Sequence, residues 1–442
     1  FAALSVFRGG FTLAAAAAIT HVSRPVLTVL QERSLLRRDE QNGHYHLHHT
    51  LRQYAQEKLN EASATELHAA HAHYFANWLH QQEKHFFTPQ QPEIVAALHD
   101  EHDNVRAYWQ WAVREANVTL LKLGLVTLRN FYDTQSRFVE GREWLEQTAA
   151  ALSTAVHPDA RPLQAKLLAR WASFCARSGQ TATAERLYQQ ALPLAQQLAE
   201  SEELGFILLN WGYLTVMTSA DYGLAEKQFS QSLGHYRQAE WDKGVADALS
   251  ALGALYNLTG NWDEAKEHLQ QSVAIARAVQ DENGLISSLT NLGNIYYLTG
   301  DLPEANRYYQ EVLLLCQKSG DRESEGIILS NLGAIAYETS DFITAERLLQ
   351  QGVAIFQEIS SPQSIIQATA MLSGAQRALG KLGEARQGLH DALKQAFDQH
   401  LDHLVPHALF ELGRLYEAEG QHERALELFY WITQSAAAQL QA

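Results

Sequence analysis

The chain of 442 residues has only two cysteines, nine prolines and two methionines. Cys175 and Cys316 lie far apart and cannot form the disulfide framework of a small secreted domain, so the expected compartment is the reducing cytoplasm. Scarce proline leaves long helices free of internal breaks. No apolar run reaches the about 18 residues of a membrane span. The stretch from Phe11 to Ile19 imitates the core of a signal peptide, but only Arg8 precedes it as a charge and no initiator Met is present. A basic excess is missing too. Lys and Arg number 34 against 50 Asp and Glu, a net charge of −16, which argues against a nucleic-acid partner. No Gly-x-x-x-x-Gly-Lys-Ser/Thr loop and no His-Glu-x-x-His occur, and Gly380-Lys381 is followed by Leu382. Without a catalytic constellation, the chain is expected to be neither an enzyme nor the holder of a cofactor.

What is present is a repeat. Asn291-Leu292-Gly293-Asn294-Ile295-Tyr296 recurs as Ala251-Leu252-Gly253-Ala254-Leu255-Tyr256, as Asn331-Leu332-Gly333, and as Glu411-Leu412-Gly413-Arg414-Leu415-Tyr416. An alanine follows each glycine by 12 residues, at Ala265, Ala305, Ala345 and Ala425. Ala184, Ala225 and Ala385 complete a series of seven, spaced 41, 40, 40, 40, 40 and 40 apart. The glycine is expected where a first helix, A, touches a second, B, too closely for a side chain. The alanine is its small counterpart on B. Tyr188, Phe229, Leu269, Tyr309, Leu349, Leu389 and Phe429 stand one turn beyond the alanine and are expected to fill the space between pairs. Gly179, Gly260, Gly300, Gly380 and Gly420 end helix A, where a left-handed residue is required. Asn261 or Asp301 then caps helix B. Repeat two carries one extra residue between Gly212 and Ala225, and repeat six has Ser373 in place of the glycine. Leu128, Tyr132, Ser136, Gly141 and Leu145 fit the same template as a degenerate pair over 122–153.

These features resemble the tetratricopeptide repeat (TPR), in the longer-helix variety of kinesin light chains and bacterial regulators. The resemblance covers residues 161–442 and implies an all-α, right-handed superhelix of seven helix pairs, an α-solenoid. Its A helices would line a groove for a protein or peptide. The stripe i, i+3, i+7, i+10 of helix A is expected to face that groove. It reads Asp247, Ser250, Ala254, Asn257; then Ser287, Thr290, Asn294, Tyr297; then Ile327, Ser330, Ala334, Tyr337; and His407, Phe410, Arg414, Glu417. Asn291 and Asn331 border it. In the family an asparagine there often grips a peptide backbone, because its amide both donates and accepts; hydrogen bonding to a neighbouring helix is the alternative. Only Arg377 and Arg414 are basic on the stripe, so the clamp for acidic peptide termini is not expected.

Residues 1–62 fall outside the repeat phase. An alanine-rich helix, then Val26-Leu27-Thr28-Val29-Leu30, precede a hairpin turn at Asn42-Gly43 and the run Tyr45 to Ala55. Helix, helix and hairpin in this order read as a winged helix. Leu4-Ser5-Val6-Phe7-Arg8-Gly9-Gly10-Phe11-Thr12 and Leu47-His48-His49-Thr50-Leu51-Arg52-Gln53-Tyr54-Ala55 resemble signatures of the winged helix that ends the nucleotide-binding module of STAND (NB-ARC-like) signalling ATPases with TPR tails. The family's Met-His-Asp motif aligns with Leu47-His48-His49, which gives His48 the role of touching the β-phosphate of ADP; His49 replaces the usual acid. Glu101-His102-Asp103-Asn104-Val105-Arg106-Ala107 and Glu140-Gly141-Arg142-Glu143-Trp144-Leu145 resemble the helical linker of the same regulators, over 63–160. The resemblance implies a chain that starts inside a domain and forms the sensor and autoinhibitory part of a larger NTPase, with ADP or ATP bound elsewhere in the parent. A scaffold without any nucleotide switch is the alternative. The alternating His44, His46 and His48 lack completing cysteines or carboxylates nearby, so no metal is expected. Arg33, Arg37 and Arg38 form the only basic cluster of this segment.

Overall fold

The computed structural model describes the chain except for Gln41, Phe87, Pro89, residues 153–156, Pro158, His400, residues 402–403 and 440–442, and the side chains of 435–439. The end of the expected degenerate pair, at Ser153, lies outside the described residues. Among those described, 22 α-helices and three two-residue strands are formed. The chain divides into two compact units. One comprises Phe1–Leu255 with Ile275–Asp281, the other Tyr256–Ala274 with Glu282–Ala442.

The first unit opens with a 3-10 turn, Ala2–Val6, and strand β1 (Gly10–Phe11). Helices α1 (Leu13–Thr20) and α2 (Arg24–Glu32) lead to β2 (Arg37–Arg38), β3 (Tyr45–His46) and α3 (His49–Glu57). The sheet order is β1-β3-β2, both pairs antiparallel, with Gly10 opposite His46 and Arg38 opposite Tyr45. Gly43 adopts a left-handed φ of 73° in the loop between β2 and β3, which is why a glycine follows Asn42. Helices α4 (Glu61–Glu83), α5 (Gln91–Asp100), α6 (His102–Arg114), α7 (Val118–Thr134) and α8 (Phe138–Leu152) follow. Phe7, Phe11, Phe75, Tyr108 and Phe131 belong to one apolar cluster that runs from Leu4 to Phe174. The sheet segment and the helices after it therefore share a core. Two helix pairs complete the regular part: α9 (Ala160–Arg177) with α10 (Thr181–Leu198), and α11 (Ser201–Ser219) with α12 (Tyr222–Gln238).

Helices α13 (Asp242–Leu258) and α14 (Trp262–Ala278) each contribute to both units. The second unit continues with α15 (Glu282–Leu298) and α16 (Leu302–Ser319), α17 (Arg322–Glu338) and α18 (Phe342–Glu358), α19 (Pro362–Ala378) and α20 (Leu382–Asp398), and α21 (Val405–Ala418) and α22 (His422–Gln439). These are TPR-like pairs, and the fold is all-α apart from the small sheet.

The glycine of helix A is a notch for the ring or branched side chain of its own helix B. A Cβ on Gly293 would lie 2.5 Å from the Tyr309 ring, one on Gly333 2.7 Å from Leu349, and one on Gly413 2.6 Å from Phe429. Phe229 closes on Gly212 in the same way. The sequence expectation placed these large residues between pairs, whereas they lock the two helices of a single pair. A second notch stands at the other end of some pairs, with Gly205 against Tyr236 and Gly326 against Phe356. The alanines are small for the expected reason: Ala184, Ala225, Ala265, Ala305, Ala345 and Ala385 have no exposed surface. Gly179, Gly260, Gly300, Gly380 and Gly420 all have φ between 75° and 82°. The same turn is made by Ser340 at 61° and Ala220 at 50°. Where helix B gives way to the next A, left-handed residues recur at Ala199, Glu240, Gln280, Gly320 and Ser360. Asp221, Asp301, Asp321 and Asp341 cap the following helices through backbone N–H donors three residues on.

Candidate functional site

In the second unit the A helices α15, α17 and α21 and the end of α13 carry most of the expected groove residues. Ser287 is exposed, and Thr290, Asn291, Asn294 and Tyr297 are half-buried. Two members of the stripe are placed differently from expectation. Ser250 and Ser330 are buried, and the Ser330 hydroxyl donates to the Gly326 carbonyl at 2.9 Å. The Thr290 hydroxyl donates to Ile286 O at 2.7 Å. At the same i+3 position Thr290 is half-buried and Phe410 exposed, so only Ser250 and Ser330 leave the expected stripe. The partly accessible face takes in Ser287, Thr290, Asn291, Asn294 and Leu298, and Asn331 at the position equivalent to Asn291.

The polar groups on this face link neighbouring helices. Tyr309 donates its hydroxyl to Asn294 Oδ1 at 2.7 Å, and Asn331 Nδ2 stands 3.5 Å from the same oxygen. Arg377, on α19, donates from Nη2 to the Tyr337 hydroxyl at 3.2 Å and comes within 3.9 Å of Glu411 Oε2. Arg377 Nε and Glu411 Oε2 are buried without a hydrogen-bond partner among the described residues, as is Asn257 Oδ1. Asn291 has no side-chain hydrogen bond there, and Arg414 no ion pair. Burial raises the Tyr297 hydroxyl pKa above its ordinary value, with Glu338 adding to the shift. Asp247 belongs to the first unit and is not free for a ligand: Lys243 lies 3.5 Å away and also holds Asp281 at 2.5 Å. Burial pushes the Asp247 carboxyl up, and Lys243 pulls it back.

Two contributors were missed in the sequence. Glu411 occupies the position of Asn291 three periods later, so in-phase alignment would have found it. Gly374 stands beside Tyr337 and Glu411, where an added Cβ would meet only ordinary contacts at 3.5 Å and beyond. The shift from Gly293 to Ser373 in repeat six hid it.

His48 is exposed at the start of α3, and its Nδ1 accepts from Thr50 N at 3.4 Å. The alternating histidines separate. His44 is buried, and its Nε2 meets Glu101 Oε1 at 3.0 Å, while His46 lies beside Gly10 across the sheet. Glu101 Oε2 accepts from Asn104 Nδ2 at 2.7 Å. Asn104 also donates to Gly10 O and accepts from Arg8 N, both at 2.7 Å, and faces His71 at 3.4 Å. This buried network pins the strand β1 to α4 and α6. Burial raises the Glu101 pKa and lowers that of His71 to about 4. Cys175 and Cys316 are free and buried, which pushes their thiols up to about 11 and about 12, far from nucleophilic character.

The repeat is recognisable beyond its spacing, since the family model of the MalT-like TPR region matches residues 212–438, just over half of the chain. The chain belongs to the MalT-like TPR family. Curated relatives are putative HTH-type transcriptional regulators of Mycobacterium bovis and Mycobacterium tuberculosis, each 29% identical over 224 residues, which is 46% of this chain and 24% of theirs. The chain thus spans about a quarter of these relatives. Among solved structures, the quorum sensor NprR from B. thuringiensis aligns over 78% of this chain and 96% of its own, with a TM-score of 0.58 and 13% identity. A STAND protein with a tetratricopeptide repeat sensor from Pyrococcus horikoshii aligns over 91% of this chain and 64% of its own, with a TM-score of 0.53 and 14% identity. These likenesses establish the helical-repeat fold of the MalT-like TPR chain. No single helix among its described residues is long and apolar enough to cross a membrane.

Proposed function

We propose that this chain is the sensor and autoinhibitory arm of a STAND-type signalling NTPase, and that its TPR groove binds a protein or peptide inducer. The observation that carries the reading is the partly accessible asparagine face of the second unit, above all the unpaired, half-buried Asn291 beside Asn294 and Asn331. An amide that donates and accepts at once suits a peptide backbone. Ser287, Thr290, Asn257, Tyr297, Tyr337, Arg377 and Arg414 would complete the surface. The matched STAND fold and the β1-β3-β2 sheet with α1 and α2 support a winged helix at residues 1–62, with 63–160 as the linking arm. His48, exposed at the head of α3, would then face ADP held by the parent's NB-ARC module. The chain itself would hold no cofactor or metal and catalyse no reaction. It would act in the cytoplasm, without nucleic acid or membrane as a partner of its own.

Inducer binding would shift the parent from a closed ADP form to an open ATP form through unequal contacts with the two. The mycobacterial relatives, described as transcriptional regulators, make transcription the natural readout of that parent. A parent lacking residues 163–442 should lose its dependence on inducer. Unchanged activation by inducer in that deletion would refute the sensor role. A bare scaffold is favoured by the Asn294–Asn331 and Tyr337–Arg377 links, which have a structural use without any ligand. Under that reading His48→Ala leaves signalling unaltered, whereas the switch requires a changed resting state.

A further inference from the structure

The first unit has an A-helix face of different chemistry. Arg129 and Asp133 stand one turn apart on α7, with Arg129 Nη1 3.4 Å from Asp133 Oδ2. Arg177, on α9, approaches the other oxygen of the same carboxylate at 3.7 Å. Arg170, also on α9, is paired with Glu203 of α11. Three guanidiniums thus meet two carboxylates at ion-pair distance, and Asp247, held by Lys243, adds its field to Arg129. Aromatic faces hold these guanidiniums in place. Arg170 lies 4.2 Å and Arg129 5.4 Å from the centre of the Phe206 ring, and Arg177 lies 4.4 Å from that of Phe138. A guanidinium stacked on a ring keeps its N–H edge free for an in-plane acceptor.

Acceptors are what this place lacks. Arg129 Nε, Asn130 Nδ2 and the Tyr188 hydroxyl are buried with no hydrogen-bond partner among the described residues. Asn130 spends its oxygen on Arg129 Nη1, at 3.1 Å. Tyr188 is fully buried and lies in the electrostatic field of both Arg129 and Arg170. The one unmet acceptor, Asp133 Oδ1, already faces Arg177. Leaving such donors empty costs about 1–3 kcal/mol each, so a cluster of them beside three guanidiniums is a place for an oxyanion. Arg177 is half exposed and gives access from solvent.

We propose that Arg129, Arg170 and Arg177, with Asn130 and Tyr188, form an oxyanion-binding site on α7, α9 and α10 that takes a carboxylate or a phosphate group. Its ligand is a small acid or the acidic end of a peptide. The site does not rest on the inducer reading, because none of the asparagines of the second unit takes part.

The test uses the full chain, titrated with inorganic phosphate or with succinate at constant ionic strength. The readouts are the thermal midpoint and the tryptophan fluorescence, since Trp211 stacks on Tyr188 at 6.1 Å. A saturable response is expected in the wild type, with affinity at least tenfold weaker in Arg177→Gln and intact in Arg347→Gln, a substitution in the second unit. A response to succinate alone identifies a carboxylate site, to phosphate alone a phosphate site, and to both the shared oxyanion chemistry. Arg177→Lys, which keeps the charge but loses the fork, should weaken binding less than Arg177→Gln and serves if the latter does not fold. An equal response in wild type and Arg177 variants, or none that saturates, overturns the proposal.

Discussion

At the scale of single residues, His71 is the clearest case of a side chain whose setting fixes its chemistry. It is enclosed by Phe7 and Phe75 and touches Asn104. Burial lowers its pKa to about 4, against an ordinary value near 6.5. The neutral form is therefore the folded form, and its contribution to stability is intact above about pH 6.5 and lost as pH falls toward 4. Between pH 6.5 and about 4 the loss amounts to about 1.4 kcal/mol for each pH unit, and below that window it stops growing. Glu101, raised by burial, acts in the opposite sense, since it gains stability on acidification. Replacing His71 alone separates the two. Thermal melts at pH 7.5 and pH 5, as nominal settings in this window, should show a smaller acid-induced fall in His71→Phe than in the wild type; an equal fall would remove His71 as the cause. None of this was legible in the sequence. A long-range partner such as Asn104 is invisible to local patterning.

At the scale of elements, the repeat was legible and its lock was not. Periodicity located the first glycine notch and its alanine, because a small residue recurring at a fixed interval marks a close approach that recurs with it, but not the second notch at Gly205 and Gly326. It could not say which ring fills which notch, since Tyr309 is equally near in sequence to the pair before and the pair after. It also missed the left-handed turns made without glycine, such as Gln280 and Ser360, whose side chains give no local signal. The two effects predict opposite outcomes for two small changes. Gly293→Ala forces a methyl group against the Tyr309 ring and should cost about 1–3 kcal/mol. Ser340→Gly removes the penalty of a left-handed non-glycine residue, about 1–2 kcal/mol, against the about 0.5–1 kcal/mol that glycine adds to the disorder of the unfolded chain, for a net gain of about half a kcal/mol. Calorimetric melting of both variants would decide it; a lower midpoint for Ser340→Gly would show that the serine side chain has a stabilising contact of its own. The groove stripe illustrates the same limit. The period of the helix was right, but Ser330 is buried while Asn331 beside it is partly accessible.

At the scale of the whole molecule, the two units have different characters. The first joins a small sheet and the helices after it over one core to regular pairs with a second core of their own, and its A-helix face carries arginines that the repeat template did not anticipate. In phase, Arg170 corresponds to Asn291, yet the long arm of Arg170 pairs with Glu203 where Asn291 stands free. The second unit is the repeat alone. Within it, removal of one whole period, residues 322–361, brings Asp321 directly before Pro362, a residue suited to the first turn of a helix. That shortened chain should keep a cooperative melt with proportionately less helix signal in circular dichroism. Removal of half a period, residues 322–341, deletes Gly333 and leaves Leu349 without its notch, and should abolish cooperative melting of this unit. Equal behaviour of the two deletions would contradict a lock confined to one pair.

Such confinement bears on ancestry. A lock closed within 40 residues lets unequal recombination add or drop a whole pair without opening the notch of any other pair. Array length, and with it the reach of the face offered to a partner, can then drift or be selected separately from the chemistry of any one pair.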